Sequence, residues 1–174
     1  MTHKIIGRMY TVAPGRLYAG PIPSSPDPDE IVTVLKHPID NWQVRSFLNL
    51  MEEGETNYQG QPFNSYIEAA RELNPEVDMS RMAIPDYTAP SAEFMKKILD
   101  FIDARIAAQK PVYVHCWGGL GRTGVVVGCW LKRHGEADPL SKLVKLRSVT
   151  INPHQESPQS PDQYALIKNW QRGS

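Results

Sequence analysis

The sequence predicts an α/β fold: a single domain over residues 1–174, with a central, mostly parallel sheet flanked by helices. Short apolar stretches typical of strands alternate with amphipathic stretches of helical period, which favours parallel strands joined by helices. A length of 174 residues suits one domain with a substantial core. A hydrophobic content of 41% is typical of a globular protein rather than a disordered one.

The first half of the chain begins with a predicted strand over residues 16–19, followed by a loop that prolines make rigid. Ile31, Val34 and Leu35 then fall at helical spacing, with acidic residues near the start of that helix, where they suit its dipole. The next predicted elements are a strand over 44–50, a loop over 51–55, a helix over 63–73 and a strand over 77–84.

The second half of the chain begins with a helix that Ser91 can cap. Its apolar residues recur with the 3.6-residue period and predict one buried face. The predicted elements that follow are a strand over 112–115, a glycine-rich loop, an apolar helix ended by Gly135, and helices over 140–146 and 162–170.

The most informative segment is 115–124, His-Cys-Trp-Gly-Gly-Leu-Gly-Arg-Thr-Gly. It lies between a predicted strand and a predicted helix, at the strand end where parallel sheets bind ligands. Unpaired amides and the positive end of the helix dipole converge there and form an anion site. That field favours the thiolate of Cys116, and the guanidinium of Arg122 suits two phosphate oxygens. The segment therefore predicts cysteine-dependent hydrolysis of a phosphate ester.

This segment resembles the HCxxGxxR(S/T)G signature of the cysteine-based protein tyrosine phosphatase superfamily, and the chain resembles a compact dual-specificity-phosphatase-like member. The resemblance implies that Cys116 is the nucleophile and that Arg122 stabilises the transferring phosphoryl group. It also implies that Thr123 assists departure of the thiolate and that His115 supports the loop. The substrate-binding loop would comprise Trp117, Gly118, Gly119, Leu120, Gly121 and Arg122.

A second segment, the Asp86 loop (residues 84–90, Ile-Pro-Asp-Tyr-Thr-Ala-Pro), is similar to the mobile general-acid loop of that family. The leaving oxygen of a phosphate ester needs a proton, and the resemblance assigns its donation to Asp86. The same residues also suit a plain turn, in which aspartate is favoured.

A third segment, the glutamine segment (residues 157–163), resembles the loop with which tyrosine phosphatases position the hydrolytic water. Gln159 and Gln163 stand at the matching positions. The same residues also form a good helix entry, with Ser160 as cap and Pro161 in the first turn. The two interpretations are compatible.

The expected substrate is phosphotyrosine in a protein, with phosphoserine and phosphothreonine as additional candidates. Phosphoinositide-specific relatives often place lysines in the loop, whereas the variable positions here, residues 117–120, carry no charge and favour a singly phosphorylated group. The alternative is a phosphatase for inositol phosphates or other small phosphate esters. Two other classes fit less well. A silent phosphopeptide-binding module is disfavoured because the nucleophile, the arginine and the acid are all present, and a rhodanese-like sulfur transferase is disfavoured because it gives the Asp86 loop and the glutamines no role.

Composition excludes several other classes of protein. Nineteen basic and nineteen acidic residues give a formal charge of zero, which is atypical of nucleic-acid binders. No apolar run is long enough to span a membrane, and the first residues lack the apolar stretch of a secretory signal.

The two cysteines point to a reducing compartment, so we expect a cytoplasmic protein. Cys129 is predicted to be a buried structural residue rather than a redox partner of Cys116. Five histidines show no metal-ligand spacing, and the expected chemistry needs neither metal nor cofactor. The predicted partner is a phosphorylated protein or small phosphate ester, with no nucleic acid and no membrane, and the sequence leaves the oligomeric state open.

Overall fold

The computed structural model describes residues 2–174, and over that range the chain forms one five-stranded sheet with packed helices. The strands are β1 (Tyr10–Ala13), β2 (Leu17–Pro21), β3 (Ser46–Asn49), β4 (Asp78–Arg81) and β5 (Val112–Cys116), in the spatial order β1-β2-β5-β3-β4. Only the edge strand β1 runs antiparallel to its neighbour, and the other pairs are parallel. The predicted α/β fold with a mostly parallel sheet is therefore confirmed.

The helices lie close to their predicted positions, with clear start signals. They are α1 (Thr2–Ile6), α2 (Pro28–Lys36), α3 (Ile67–Leu73), α4 (Ala92–Ala107), α5 (Arg122–Arg133), α6 (Pro139–Arg147) and α7 (Pro161–Asn169), with a π-helical turn (His37–Asn41) after α2. Side chains of Asp27, Ser91, Asp138 and Ser160 cap the first turns of α2, α4, α6 and α7. These bonds satisfy amides that a helix start otherwise leaves free.

Three predicted elements are shorter in the structure, and three short ones, including the π-helical turn, were not predicted. The predicted strand over 44–50 is paired only over Ser46–Asn49. The predicted helix over 63–73 begins only at Ile67, because Asn64 is instead tied to the 24–25 loop: its side chain donates to the Ser25 carbonyl at 2.9 Å and its carbonyl accepts from Ser24 at 2.6 Å. The predicted strand over 77–84 keeps its ladder only over 78–81. The five-residue α1 and the four-residue β1 are too short to show a periodic pattern.

The central strand β5 positions the Cys116 segment. It is fully buried and pairs with β2 on one side and β3 on the other, so that Cys116 lies at its carboxyl end, opposite Pro21. The helix α5 starts at Arg122, within the segment of residues 115–124, and is itself buried over residues 122–131. Gly128 allows α7 to approach α5 closely, because a Cβ at that position would lie 2.3 Å from Ile167 Cδ1.

Gly128→Ala is expected to lower the free energy of unfolding by about 1 kcal/mol, because overpacking against Ile167 outweighs the better helix propensity of alanine. Urea denaturation checks this value. Adding Ile167→Val removes the clashing methyl group and should recover part of the loss. A Gly128→Ala variant more stable than the wild type would show that the two helices are not in close contact.

Candidate active site

The Cys116 loop (residues 116–123) turns its amides inward and its carbonyls outward. The Trp117 carbonyl accepts from Ile22 N at 3.1 Å, and the Leu120 carbonyl accepts from the Ser157 hydroxyl at 2.7 Å. By contrast, the backbone amides of residues 117–123 donate to no acceptor within residues 2–174. A ring of free amides at the start of a helix is an anion-binding cradle, and buried Cys116 lies in it.

Gly119 makes the path of this loop possible. Its φ is +74°, and a Cβ there would lie 2.3 Å from the backbone carbon of Gly20 and 2.6 Å from Pro21 N. Because these neighbours are backbone atoms of β2, they cannot move aside as a flexible side chain could. The loop is thus seated directly on the strand beside β5.

Arg122 is 1% exposed and joins three segments at the site. Its two Nη atoms donate to the two carboxylate oxygens of Glu55 at 2.7 and 2.9 Å, and Nη1 also donates to the Ile84 carbonyl at 3.1 Å. Asp86 Oδ1 lies 3.3 Å from Nη2. Burial acts to lower the pKa of Arg122, but its hydrogen bonds to Glu55 and the nearby negative groups raise that pKa above its usual value. Its Nε is buried and has no partner within residues 2–174.

His115 is a buried imidazole with hydrogen bonds at both ring nitrogens. Its Nδ1 lies 3.0 Å from the Cys116 carbonyl, and its Nε2 lies 2.6 Å from the Tyr66 hydroxyl. A carbonyl only accepts, so Nδ1 carries the proton and Nε2 accepts from Tyr66. Burial lowers the pKa of His115 to about 3, against the opposing effect of its bond to the Cys116 carbonyl. A neutral, fully bonded imidazole is suited to hold the strand end in place.

The Asp86 loop is folded over the site. Asp86 lines the same cavity as Cys116 and Arg122, and its side chain is about half exposed. The loop is held by a tight turn, in which Thr88 donates twice to the Pro85 carbonyl, while Tyr87 has a φ of +60°. The Asp86 carboxyl group is thereby held in the cavity that Cys116 also lines.

The two glutamines occupy different places. Gln159 lines the cavity, whereas Gln163 is fully buried behind it. The Gln163 side chain accepts from the backbone amides of Gln159 and Ser160, at 3.0 and 3.1 Å, and donates to the Thr88 carbonyl at 3.1 Å. Gln163 therefore links the glutamine segment to the Asp86 loop.

Aromatic residues surround the mouth of the cavity, which has a volume of about 340 Å³. Trp117 packs against Tyr58 and Phe63, with ring centroids 4.4 and 5.7 Å apart. Tyr58 is 92% exposed and Tyr87 is 60% exposed, and both line the cavity. Such exposed rings can contact a planar substrate group.

Thr123, the last residue of the Cys116 loop, and Cys129 both lie on α5. The Thr123 hydroxyl is buried and has no hydrogen-bond partner in the described part of the chain. Cys129 is fully buried, and burial raises the pKa of its thiol to about 12, as suits an inert structural residue.

The structure thus places most of the sequence-predicted residues in the lining of one cavity. The predicted residues that do not line it are His115, Gly119, Thr123 and Gln163. Sequence reasoning missed Glu55, Tyr66 and Arg8. Glu55 had a usable signal, since an acidic run follows strand β3 at the same sheet edge as Cys116. Arg8 also lines the cavity, but it precedes a strand too short to be recognised.

Within residues 2–174, no three or more His, Cys, Asp or Glu side chains are grouped as a metal ion would need. Over the same range, none of the helices has the length and apolar character needed to cross a membrane.

The chain is similar in sequence to a phosphatase family and to known proteins. Residues 38–136 match the family described as "Tc-R-P: Polymorphic toxin system, DSP-PTPase phosphatase". An uncharacterised protein of Methanocaldococcus jannaschii is 42% identical over 57 residues, which are 33% of this chain and 36% of that protein. Tyrosine-protein phosphatase non-receptor type 4 of Homo sapiens is 32% identical over 78 residues, 44% of this chain and 8% of the relative. The match thus spans about a third or less of the length of these relatives.

The fold is similar to that of solved phosphatase structures. Tk-PTP in its active form has a TM-score of 0.66 at 24% identity, with 94% of this chain and 95% of that chain covered. PTPMT1 in complex with PI(5)P has a TM-score of 0.67 at 18% identity, with 94% of each chain covered. At these identities the likeness establishes the fold alone.

The burial of His115 predicts acid sensitivity. In the unfolded chain histidine binds a proton below about pH 6.5, whereas folded His115 stays neutral down to about pH 3. The unfolded state therefore binds more protons in this window, and the free energy of unfolding falls as the pH drops from 6.5 towards 3. This single group contributes up to about 1.4 kcal/mol per pH unit.

Urea denaturation of the wild type and of His115→Asn between pH 7 and pH 4 checks this effect. The variant lacks the titrating group and should lose less stability on acidification, although it starts from a lower value. Identical pH slopes would contradict the assignment of His115 as a buried neutral group.

Proposed function

The chain belongs to the DSP-PTPase family and is a phosphatase of the cysteine-based tyrosine and dual-specificity superfamily, and from this premise we propose that it hydrolyses phosphotyrosine in proteins. One observation supports this most strongly: Cys116 lies in a cradle of free amides beneath an aromatic mouth formed by Tyr58, Tyr87 and Trp117. The cradle fits a phosphoryl group, and the rings fit the phenol that carries it. Phosphoserine and phosphothreonine are proposed as weaker substrates.

In the first step, Cys116 Sγ attacks phosphorus and the phosphorus–oxygen bond to the phenol breaks. The Cys116 loop amides and Arg122 hold the phosphoryl oxygens as charge spreads over them. Asp86 donates its proton to the departing phenoxide. The products are the dephosphorylated tyrosine residue of the substrate protein and a phosphocysteine.

In the second step, a water molecule attacks phosphorus and the phosphorus–sulfur bond breaks. Gln159, which lines the cavity, orients this water, and ionised Asp86 takes its proton. The hydroxyl of Thr123, which lacks a protein partner within residues 2–174, donates to the departing thiolate. Inorganic phosphate leaves, and Asp86 is again protonated for the next cycle.

Three residues act in this proposal by positioning others. Glu55 fixes the plane of the Arg122 guanidinium, Gln163 fixes the Asp86 loop, and His115 fixes the carbonyl of Cys116. We assign them no contact with the reacting atoms.

Residues 1–174 are proposed to act as one catalytic domain in the cytoplasm. Cys116 and Cys129 are both free thiols, and a reactive thiol persists best in a reducing compartment.

The reaction is tested first with para-nitrophenyl phosphate and phosphotyrosine peptides in the presence of EDTA. Cys116→Ser should abolish turnover, because the hydroxyl is a far weaker nucleophile at neutral pH. Asp86→Asn should slow hydrolysis of the phosphotyrosine peptide about 10²- to 10³-fold. Hydrolysis of the activated nitrophenyl ester should be slowed much less, because nitrophenolate leaves without a proton.

Equal losses on both esters would remove Asp86 from the role of general acid. Turnover of inositol phosphates with no turnover of phosphopeptides would replace the proposed substrate by a small phosphate ester.

Glu55→Gln is expected to lower kcat/KM about 10- to 100-fold, because Arg122 loses the charge that orients it. The free energy of unfolding should fall by about 3 kcal/mol, as expected when a buried charge loses its partner. Steady-state kinetics, inhibition by inorganic phosphate and urea denaturation measure the three effects. The matched control is Glu53→Gln, an exposed neighbour; equal phosphate affinity in the two variants would contradict a positioning role for Glu55.

A further inference from the structure

Arg8 is a second arginine in the wall of the catalytic cavity, placed there by the turn between α1 and β1. It is half-buried, and its Nε donates to the Lys4 carbonyl at 2.9 Å. Within residues 2–174 its two Nη atoms donate no hydrogen bond, and Arg8 forms no ion pair with a carboxylate. The cavity therefore contains one positive charge that the described chain leaves unpaired.

The other well-buried arginines are compensated within the fold. Arg122 is held by a carboxylate, Arg133 by two aspartates, and Arg147 by two backbone carbonyls. Burial lowers the pKa of Arg8, with an opposing effect from Tyr113, which shows that its charge is partly desolvated. A desolvated cation with free donors gains much from an anionic partner.

The backbone at Arg8 is firmly held. The Arg8 and Met9 amides donate to the carbonyls of Ile5 and Ile6 at 3.1 and 3.0 Å, and Ile151 N donates to the Gly7 carbonyl at 2.8 Å. Because the backbone that carries the Arg8 side chain is already ordered, binding of a ligand to Arg8 costs less conformational entropy.

The transferring phosphoryl group leaves Arg8 available for another anion. Its oxygens are met by the free amides of residues 117–123 and by the buried, unpaired Nε of Arg122. Tyr58 and Trp117 line the same cavity and suit the aromatic ring of the substrate. An anion at Arg8 would thus belong to a neighbouring part of the substrate.

We propose that Arg8 is a specificity-determining residue that binds a second anionic group of a phosphotyrosine peptide, next to the phosphotyrosine. This inference rests on the proposed function. The group is the carboxylate of a flanking acidic residue or a second phosphate on the same peptide, and both offer the paired oxygens that a guanidinium binds best.

The test uses three peptides that differ at the residues flanking phosphotyrosine: alanine, glutamate or phosphothreonine. The wild type should prefer an anionic flank over alanine by roughly tenfold in kcat/KM, the effect expected of one charge-assisted hydrogen bond. Arg8→Gln should reduce that preference to within about twofold, while Arg8→Lys should retain part of it. The glutamate and phosphothreonine peptides show which anion is preferred.

The matched control is Arg16→Gln, which removes one positive charge from an exposed turn at the opposite end of β2 and should keep the preference. A preference that is absent in the wild type, or unchanged by Arg8→Gln, overturns the role of Arg8 while phosphotyrosine hydrolysis stands. Turnover of para-nitrophenyl phosphate without turnover of any of the three peptides overturns the proposed function and this inference together.

Discussion

The pairing of Arg122 with Glu55 is the interaction on which the rest of the site depends. A guanidinium that is 1% exposed is stable only if its charge and its donors are satisfied. Glu55 meets both needs with two hydrogen bonds, and the Ile84 carbonyl adds a third. The loops that follow β3 and β4 are thereby fixed relative to the helix α5. A buried cation thus organises three segments that are distant in sequence.

The Cys116 loop owes its shape to neighbours outside it. The amide of Ile22 holds the Trp117 carbonyl from one side, and the Ser157 hydroxyl holds the Leu120 carbonyl from the other. Each outward carbonyl leaves the amides free to converge inward, where their dipoles add to that of α5. The anion cradle therefore requires no reorganisation when charge arrives, which is the condition for efficient electrostatic stabilisation.

Much of this arrangement could be predicted from sequence, because it depends on local patterns. The strand, glycine-rich loop and helix around Cys116 follow from periodicity and position, and the helix starts follow from Asp27, Ser91 and Ser160. Contacts between distant segments leave no such pattern. The bond from Gln163 to Thr88 and the approach of Arg8 to the cavity depend on tertiary packing. The uncharged residues 117–120 predicted a site for one phosphate group. The second cation of the cavity, Arg8, comes from the turn between α1 and β1.

The position of β5 between β2 and β3 has a consequence for synthesis of the chain. Leu17 and Ser46 both pair with Val112, so β2 and β3, which are synthesised early, have their shared neighbour β5 only much later. Until residues 112–116 leave the ribosome, β2 and β3 each have an unpaired edge, and unpaired strand edges promote association with other chains. Cys116 lies at the end of the strand that fills this gap. A nascent chain therefore cannot form the candidate site before its sheet is complete.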